Sequence, residues 1–565
     1  MCGIALILGP GVGSTGAGST GAGSTGAESP GADDEVFRHM LGVLAPRGES
    51  LEVARQPGLL AGTQRLRIVD RAHAVQPWTS ADGEDVPSRG ARSRWVLCYN
   101  GELFNYRELR AELLSLGRSF RGASDTEVVF EALRQWGDQA VGRFRGEFAL
   151  ALADMAARRV YLARDPLGVK PLYWAHRDGR LHVASEIKAL VPLQAPVREL
   201  PPGHHGWAAA DGEPRISAYV DLLALGAAAQ PVTDPGEAAK LVRAAFEDSV
   251  RVRVDTDLPV GVILSGGLDS SLTLLNAADM HPNCVAFTVG APGSDDLRYA
   301  RRLCADLRVP HEVIEISPRE IRLAAIREAI AMSELTEYGD IINAVACVPL
   351  FRRIHDAGIK VVLTGDGSDE LFGGYPMYDR TSPEQARRLF LHKIRNLART
   401  ELQRVDRISM GHGVEARVPF LDLPLVELAM RLPMGLKVRD GQEKWILREA
   451  FADLLPGYVR ERPKNPMSHS SGLHERARLY KPLFPRLHRG LGYDLCAPVR
   501  RDFSLVLEAS GNDLDLAVRR IAARGDYTAA ERARDLAGAL KWNAAATARG
   551  WARTAAKVRD AAARA

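Results

Sequence analysis

At 565 residues the chain is too long for one hydrophobic core, and about 150 residues per domain divides it into two to four units. Its 46% hydrophobic and 25% charged residues are those of ordinary globular protein, and 74 basic against 70 acidic residues leave a formal charge of +4 that points to neither nucleic acid nor membrane. Six cysteines (Cys2, Cys98, Cys284, Cys304, Cys347, Cys496) without a CxxC pair exclude a zinc ribbon, a redox dithiol and a secreted disulfide scaffold. No apolar run reaches the roughly 18 residues of a spanning helix and no basic region precedes the first apolar stretch, so a cytoplasmic enzyme is expected.

The first residues, MCGIALIL, place Cys2 ahead of a short apolar strand. Removal of Met1 would leave Cys2 with a thiol and an α-amine, and an amine of pKa about 7.7 to 8 acts as a base toward its own side chain. Residues 11–16 (GVGSTG) match GxGxxG, with Asp33 further on. Residues 13–27, however, are GSTGA three times over and lack the apolar periodicity of the helix a dinucleotide fingerprint requires, so a low-complexity loop is expected there.

Residues 34–205 read as α+β with frequent turns. RLRIVD (65–70), YNGELFNY (99–106), SDTEVV (124–129) and ARDPLGVKPLYW (163–174) stand out. Asn100 and Gly101 end the strand predicted from Trp95, where a side-chain amide and a backbone N–H can together bind an oxyanion. Arg65 suits a carboxylate and Glu102 and Asp125 suit an ammonium; carboxylate plus ammonium is an amino acid. Each also has a plainer role: a strand-edge ion pair for Arg65, a turn at Asn100-Gly101, a helix N-cap at Asp125 with Glu127 behind it.

Residues 206–233, rich in Ala, Gly and Pro, read as a connection. Asp234 as N-cap, Pro235 at N1 and Glu237 at N3 predict a capping box, and Val242, Ala245, Phe246, Ser249 and Val250 form the core face of the helix it opens. The apolar run 258–264, SGGLDSS (265–271) and LTLLNAADM (272–280) then read as strand, tight glycine turn and helix. Several N–H groups converge there at the positive end of a helix, which makes an anion site and above all a phosphate site. Gly266 and Gly267 let the backbone approach a ligand, Ser265, Ser270 and Ser271 add hydroxyls, and Asp269 stands where a carboxylate can hold Mg2+ against phosphate oxygens. No GxxxxGK[ST] occurs, so this is not the kinase-type loop. Further strands at 284–290, 311–316 and 360–365 alternate with helical stretches, which predicts a parallel, doubly wound sheet with ligands beyond its C-terminal strand ends. TGDGSDELFGGY (364–375) falls at such an end, and its Asp366, Asp369 and Glu370 suit a metal and a reacting acyl group.

Cys2-Gly3-Ile4, RLRIVD, YNGELFNY, SDTEVVFEAL, ARDPLGVKPLYW and ASEIKAL (184–190) together resemble the glutaminase domain of the class II, N-terminal-nucleophile amidotransferases. With SGGLDSS, TGDGSDELFGGY, VDRISMGHGVEARVPFLD (405–422) and EKWILREAF (443–451), the chain resembles the glutamine-dependent asparagine synthetase family over roughly residues 2–480. The resemblance implies a two-domain α/β fold: an αββα glutaminase domain over 2–205 with an insertion at 11–33, a linker at 206–233, an ATP-pyrophosphatase domain with a doubly wound parallel sheet over 234–540, and an Ala/Arg-rich tail at 541–565. It implies Cys2 as nucleophile, Asn100 and Gly101 as oxyanion hole, and Arg65, Glu102 and Asp125 as holders of glutamine. ATP and pyrophosphate fall to Leu264, Ser265, Gly266, Gly267, Asp269, Ser270, Val289, Thr364 and Gly365, and Mg2+ to Asp269 and Asp369. Asp366 lies near an acyl-adenylate, Lys444 stabilises charge during acyl transfer, and Glu415 and Arg417 shape the site and its ammonia route. Glutamine, ATP and a carboxylic acid would yield glutamate, AMP, pyrophosphate and an amide, with a protected passage for ammonia between the domains. The expected partners are these small molecules, not nucleic acid or membrane, with a homodimer left open.

Three departures from the family pattern bear on function. Residues 46–50 read PRGES where the family has HRGPD, the GSTGA tract is inserted after the first strand, and in EYGDIINAVAC (337–347) Val345 stands where an arginine grips aspartate. An apolar side chain cannot pair with a carboxylate, so two acceptors are carried forward: aspartate, or another acid in a specialised pathway. A macrolactam-forming cyclase would not need an intact glutamine site, a non-catalytic scaffold would have lost Cys2, Asp269 or Asp369, and a tRNA thiolase would want a cysteine pair and a basic face.

Overall fold

Strand β1 (Cys2–Leu8) is buried along its whole length because both its faces are covered. Ile4, Leu6 and Leu8 enter one apolar layer and Ala5 and Ile7 another, the period of two of an extended chain. The computed structural model describes residues 2–13, 31–80, 93–222, 224–225, 230–335, 338–375, 378, 382–465 and 470–473, with isolated positions from 480 to 538. The GSTGA tract beyond Gly13 and the tail expected at 541–565 lie outside them.

With β2 (Ser50–Gln56), β3 (Leu59–Arg65), β8 (Tyr173–Arg177), β9 (Arg180–Ala184) and β10 (Arg198–Glu199), β1 forms an antiparallel sheet of order β10-β8-β9-β1-β3-β2. A second antiparallel sheet contains β4 (Trp78–Thr79), β5 (Trp95–Leu103), β6 (Gly146–Asp154), β7 (Arg159–Arg164), β11 (His204–Ala209) and β12 (Arg215–Ala218), in the order β12-β11-β7-β6-β5-β4. Ile4, Leu6, Val96, Cys98, Ala149 and Leu162 fill the layer between the sheets. Helix α1 (Ala32–Leu44) covers the outer face of the first through Phe37, Met40 and Leu44, and α2 (Asp125–Trp136) covers the second through Val128, Val129 and Leu133. The result is the four-layered αββα arrangement.

Four local expectations change. Strand β5 runs on to Leu103, so Asn100 and Gly101 lie inside the ladder, opposite Ala149 and Phe148, and not at its end. Only glycine fits at 101, where a Cβ would stand 2.4 Å from the Glu147 carbonyl oxygen. Part of the stretch read as a connection pairs as β11 and β12 at the edge of the second sheet. Ser124, not Asp125, caps α2 by accepting the Glu127 N–H at 3.3 Å, and at Asp234 the capping contact is one-sided, with its carboxylate accepting the Glu237 N–H at 2.7 Å.

The third sheet is parallel: β13 (Val260–Ile263), β14 (Cys284–Gly290), β15 (His311–Glu315), β16 (Val361–Leu363) and β17 (Glu415–Arg417), in the order β15-β14-β13-β16-β17. The strand order reverses between β13 and β16, which opens a crevice at their C-terminal ends. Helix α3 (Pro235–Arg253) precedes β13, and α4 (Leu268–Met280), α5 (Asp295–Leu307) and α6 (Tyr338–Asp356) lie in the connections that carry the chain from β13 to β16. Helix α7 (Glu401–Met410) is buried at every position from Leu402 to Met410.

Buried ion pairs join the halves. Arg253 of α3 meets Glu147 of β6 and Asp422, each at 3.1 Å. Lys170 donates to the Ala416 carbonyl at 3.3 Å and lies 3.6 Å from Glu147. Arg417 is 2.6 Å from Glu415 and 3.7 Å from Glu102 across the boundary. Charges removed from water persist only when paired this closely.

Candidate active sites

The antiparallel register sets Cys2 opposite Arg65, the last residue of β3. The Cys2 nitrogen donates to Asn100 Oδ1 at 2.9 Å, while Asn100 Nδ2 is buried and has no partner among the described residues. An unpaired buried donor costs about 1–3 kcal/mol, and one beside a thiol is placed to receive an oxyanion. Gln76, which carries no motif signal, offers Nε2 at 3.7 Å to Cys2 Sγ and at 3.0 Å to Thr126 Oγ1, and its Oε1 accepts the Tyr99 N–H at 3.1 Å. Burial pushes the Cys2 thiol up, against the N–H of Leu66 and the charge of Arg65.

Arg65 wraps the loop that follows it, donating to the carbonyls of Ala74, Val69 (3.3 Å) and Asp70 (3.1 Å). Asp125 accepts the Leu103 N–H at 3.3 Å. Burial lifts the Glu102 carboxyl to about 8, with Arg417 opposing and Asp125 and Glu415 adding to the rise, and burial raises Asp125 as well. Arg417 meets Glu102 only at 3.7 Å, and an ammonium bound between Glu102 and Asp125 would favour the ionised form of both.

The 265–271 loop has the strand-turn-helix form. Gly266 has φ +69°, and a Cβ there would lie 2.6 Å from Tyr299 Cβ and 2.8 Å from the Ala300 nitrogen. The Ser265 N–H donates to Ser270 Oγ at 3.1 Å and the Gly267 N–H to Ser265 Oγ at 3.3 Å. Leu264 is tied to β14 by its N–H on the Phe287 carbonyl (2.8 Å), Val289 is buried near the end of β14, and Gly365 packs on Asp269. Thr364 accepts the Asp366 N–H at 3.3 Å.

Asp269 and Asp369 converge on one cation position, filled by Lys444 Nζ, which contacts both. Lys464 lies 2.6 Å from Asp369 and 3.9 Å from Asp269, and Ser368 donates to Asp269 at 2.7 Å. Burial would raise Asp369, but the two lysines hold it down to about 2. Two carboxylates beside a phosphate-type loop fit Mg2+, which takes one or two protein carboxylates together with phosphate oxygens. No third acid, His or Cys joins them among the described residues. Arg462 donates to the Ser265 carbonyl at 2.9 Å and to Asp296 at 2.8 Å, closing the pocket that Ser265, Gly267, Asp269, Lys444 and Lys464 line.

Asp366 stands apart from this cluster. Arg404 Nη2 donates to it at 2.7 Å and Arg404 Nη1 to Asp340 at 2.8 Å. Burial raises the Asp366 carboxyl and Arg404 opposes the rise. Val345 of α6 is buried in an apolar cluster with Ala344 and Val348. Sequence reading misses Lys464, Arg462 and Arg404; the first two lie in the basic run ERPKNP, and Arg404 immediately precedes the VDRISM block.

The family model for the glutamine amidotransferase domain matches residues 21–210, and that for asparagine synthase matches 241–387 and 380–492. Together with the two sites they define a glutamine-dependent, ATP-consuming amidotransferase, a carbon–nitrogen ligase. Asparagine synthetase B (glutamine-hydrolysing) of Escherichia coli K12 is 36% identical over 429 residues, covering 72% of this chain and 74% of that protein. A putative asparagine synthetase of Methanocaldococcus jannaschii is 31% identical over 75% of this chain and 84% of that protein, and the asparagine synthetase of Sandersonia aurantiaca is 32% identical over 72% and 78%. The chain belongs to the glutamine-hydrolysing asparagine synthetase family. Among the described residues no helix is long and apolar enough to cross a membrane.

Proposed function

We propose that the chain transfers the amide nitrogen of glutamine to the side-chain carboxylate of aspartate, with ATP cleaved to AMP and pyrophosphate. The observation that carries this reading is the Asp269–Lys444–Asp369 cluster at the mouth of the 265–271 loop, on the same chain as a thiol beside an unpartnered amide. With Met1 removed, Cys2 Sγ attacks the glutamine amide carbon and its proton passes to the Cys2 α-amine. Asn100 Nδ2 and the Gly101 N–H take the oxyanion, Arg65 the glutamine carboxylate, and Glu102 and Asp125 its ammonium. The α-amine returns the proton to departing ammonia, and water releases glutamate from the thioester. A free, nucleophilic thiol of this kind suits a reducing cytoplasm.

At the second site the phosphates of ATP rest on Ser265, Gly266, Gly267 and Ser270. The acceptor carboxylate attacks the α-phosphorus and pyrophosphate leaves toward Lys444 and Lys464. Asp269 and Asp369, now bridged by Lys444, would hold Mg2+, which would supply neutralising charge on the phosphates. Ammonia then attacks the acyl-adenylate beside Asp366 and AMP leaves. Its route passes the Glu102–Arg417 contact and the apolar cluster of Leu66, Ile68, Val361 and Met410.

A second reading, amidation of another acid, is favoured by Val345: on that side the cation near Asp366 is Arg404, already bound to Asp340 and Asp366. Pyrophosphate release with ATP, Mg2+ and glutamine, with and without aspartate, separates the two, the product being identified by mass. Aspartate-dependent pyrophosphate with equimolar asparagine is expected. Glutamate release without aspartate-dependent pyrophosphate would mean that the acceptor is another acid.

A further inference from the structure

Helix α7 lies between the two sites and touches both. On one side Arg404 donates to Asp366 at 2.7 Å and to Asp340 at 2.8 Å. Two residues on, Asp406 accepts from both terminal nitrogens of Arg47, at 3.1 and 3.3 Å. Positions i and i+2 of an α-helix are about 200° apart in azimuth and about 3 Å apart along the axis, so the two side chains leave opposite faces of one turn. The Arg47 Nε in turn donates to the carbonyl of Cys2 at 3.2 Å, and Arg47 Nη1 is 2.6 Å from Glu186. Cys2 and the acyl-site carboxylate Asp366 are thus connected by two arginines, one aspartate and a single helical turn.

The connection is stiff and fully charged. Arg47, Asp406, Arg407, Glu186, Glu334 and Lys170 are buried, and the contacts Arg407–Glu334 (2.9 Å), Arg407–Asp406 (2.9 Å) and Lys170–Asp406 (3.8 Å) complete the cluster. Burial would raise the Asp406 carboxyl, but Arg47, Lys170 and Arg407 hold it down to about 2, so it stays ionised. A bidentate guanidinium–carboxylate pair fixes direction as well as distance, and a buried one cannot slide without leaving a charge unpaired. A rotation or axial shift of α7 would therefore be passed to the backbone of Cys2 through Asp406 and Arg47.

We infer that α7 couples the sites: Asp406 and Arg47 are positioning residues that set the Cys2 backbone, and hence glutamine hydrolysis, according to whether the Asp366–Arg404 contact is engaged by an acyl-adenylate. Neither touches a reacting atom. The inference rests on the amidotransferase reading above, and two readouts keep their failures distinguishable.

Glutamate release is measured for wild type and Asp406→Asn with glutamine alone and with saturating ATP, Mg2+ and aspartate added, and pyrophosphate release is measured separately with ammonium chloride as nitrogen donor. In wild type, ATP with aspartate should change kcat for glutamate release about fivefold or more. In Asp406→Asn that response should shrink below about twofold, while ammonium-driven pyrophosphate stays within about twofold of wild type. Asp406→Glu, which keeps the charge, should restore part of the response; Arg47→Lys, which keeps the charge but loses the fork, should not, and it serves where Asp406→Asn does not fold. A retained response in both Asp406→Asn and Arg47→Lys, or an unresponsive wild type that makes ammonium-driven pyrophosphate, would overturn the coupling. A wild type that makes no ammonium-driven pyrophosphate with aspartate overturns the acceptor reading and the coupling built on it.

Discussion

At the scale of single residues the proposed glutamine end is marked by two acids, Glu102 and Asp125, whose carboxyls burial raises. Burial lifts the Glu102 carboxyl to about 8, and in the proposed function it must ionise to pair with the glutamine ammonium. Glutamine binding therefore releases a proton, and KM for glutamine should fall as pH rises through about 8. In Glu102→Gln the same KM should be raised at least about tenfold, as expected for truncating a buried charge pair, and should no longer depend on pH over that range. An unchanged pH dependence in the variant would assign the titration to another group. The proposed roles of Cys2, Asn100, Asp269 and Asp369 are readable from the sequence because each stands inside a run whose residue types suggest chemistry. Those of Gln76, Arg47 and Lys464 are not, because each acts through a partner dozens to hundreds of positions away: Arg47 through Asp406, Gln76 through Cys2 and Tyr99, and Lys464 through Asp369.

Among the elements, the 265–271 loop is legible almost completely, since a strand, two glycines and a helix start leave the backbone one way to turn. Its Gly266 is a sharp test, because a methyl there meets both the left-handed φ of +69° and the Tyr299 and Ala300 backbone of α5. Gly266→Ala should lower stability by about 1 to 3 kcal/mol through strain and overpacking and reduce ATP-dependent pyrophosphate release at least tenfold, read by thermal midpoint and by kcat/KM for ATP, with glutaminase activity close to wild type. Strand β5 was less legible. Asn100-Gly101 carries the residue signature of a turn, yet the pair stays in the ladder because β6 offers partners as far as Gly146. ARDPLGVKPLYW and ASEIKAL, which carry part of the resemblance to the family, are structural here. Asp165 accepts the N–H groups of Leu167, Val169 and Lys170, and Glu186 and Lys170 enter the cluster around Asp406, so both segments build the boundary between the halves.

The whole molecule is two catalytic halves held by buried charge as well as by an apolar seam. The αββα layers and the parallel sheet follow from strand periodicity and the order of motifs, but the boundary between them does not: nothing in the spacing of Glu102, Glu147 and Asp406 foretells that Arg417, Arg253 and Arg47 complete them. The acceptor acid is the least legible feature, since Val345 removes the expected cation and the folded chain puts Arg404 near Asp366 from another helix. In the proposed function one chain makes ammonia at Cys2 and uses it at the 265–271 loop, and Cys2→Ala separates the two steps. With ATP, Mg2+ and aspartate, the variant should make no asparagine and no glutamate from glutamine, yet form pyrophosphate and asparagine from ammonium chloride at a rate within about threefold of wild type. Asparagine formed by the variant from glutamine, or ammonium-driven synthesis lost along with glutamine hydrolysis, would contradict it.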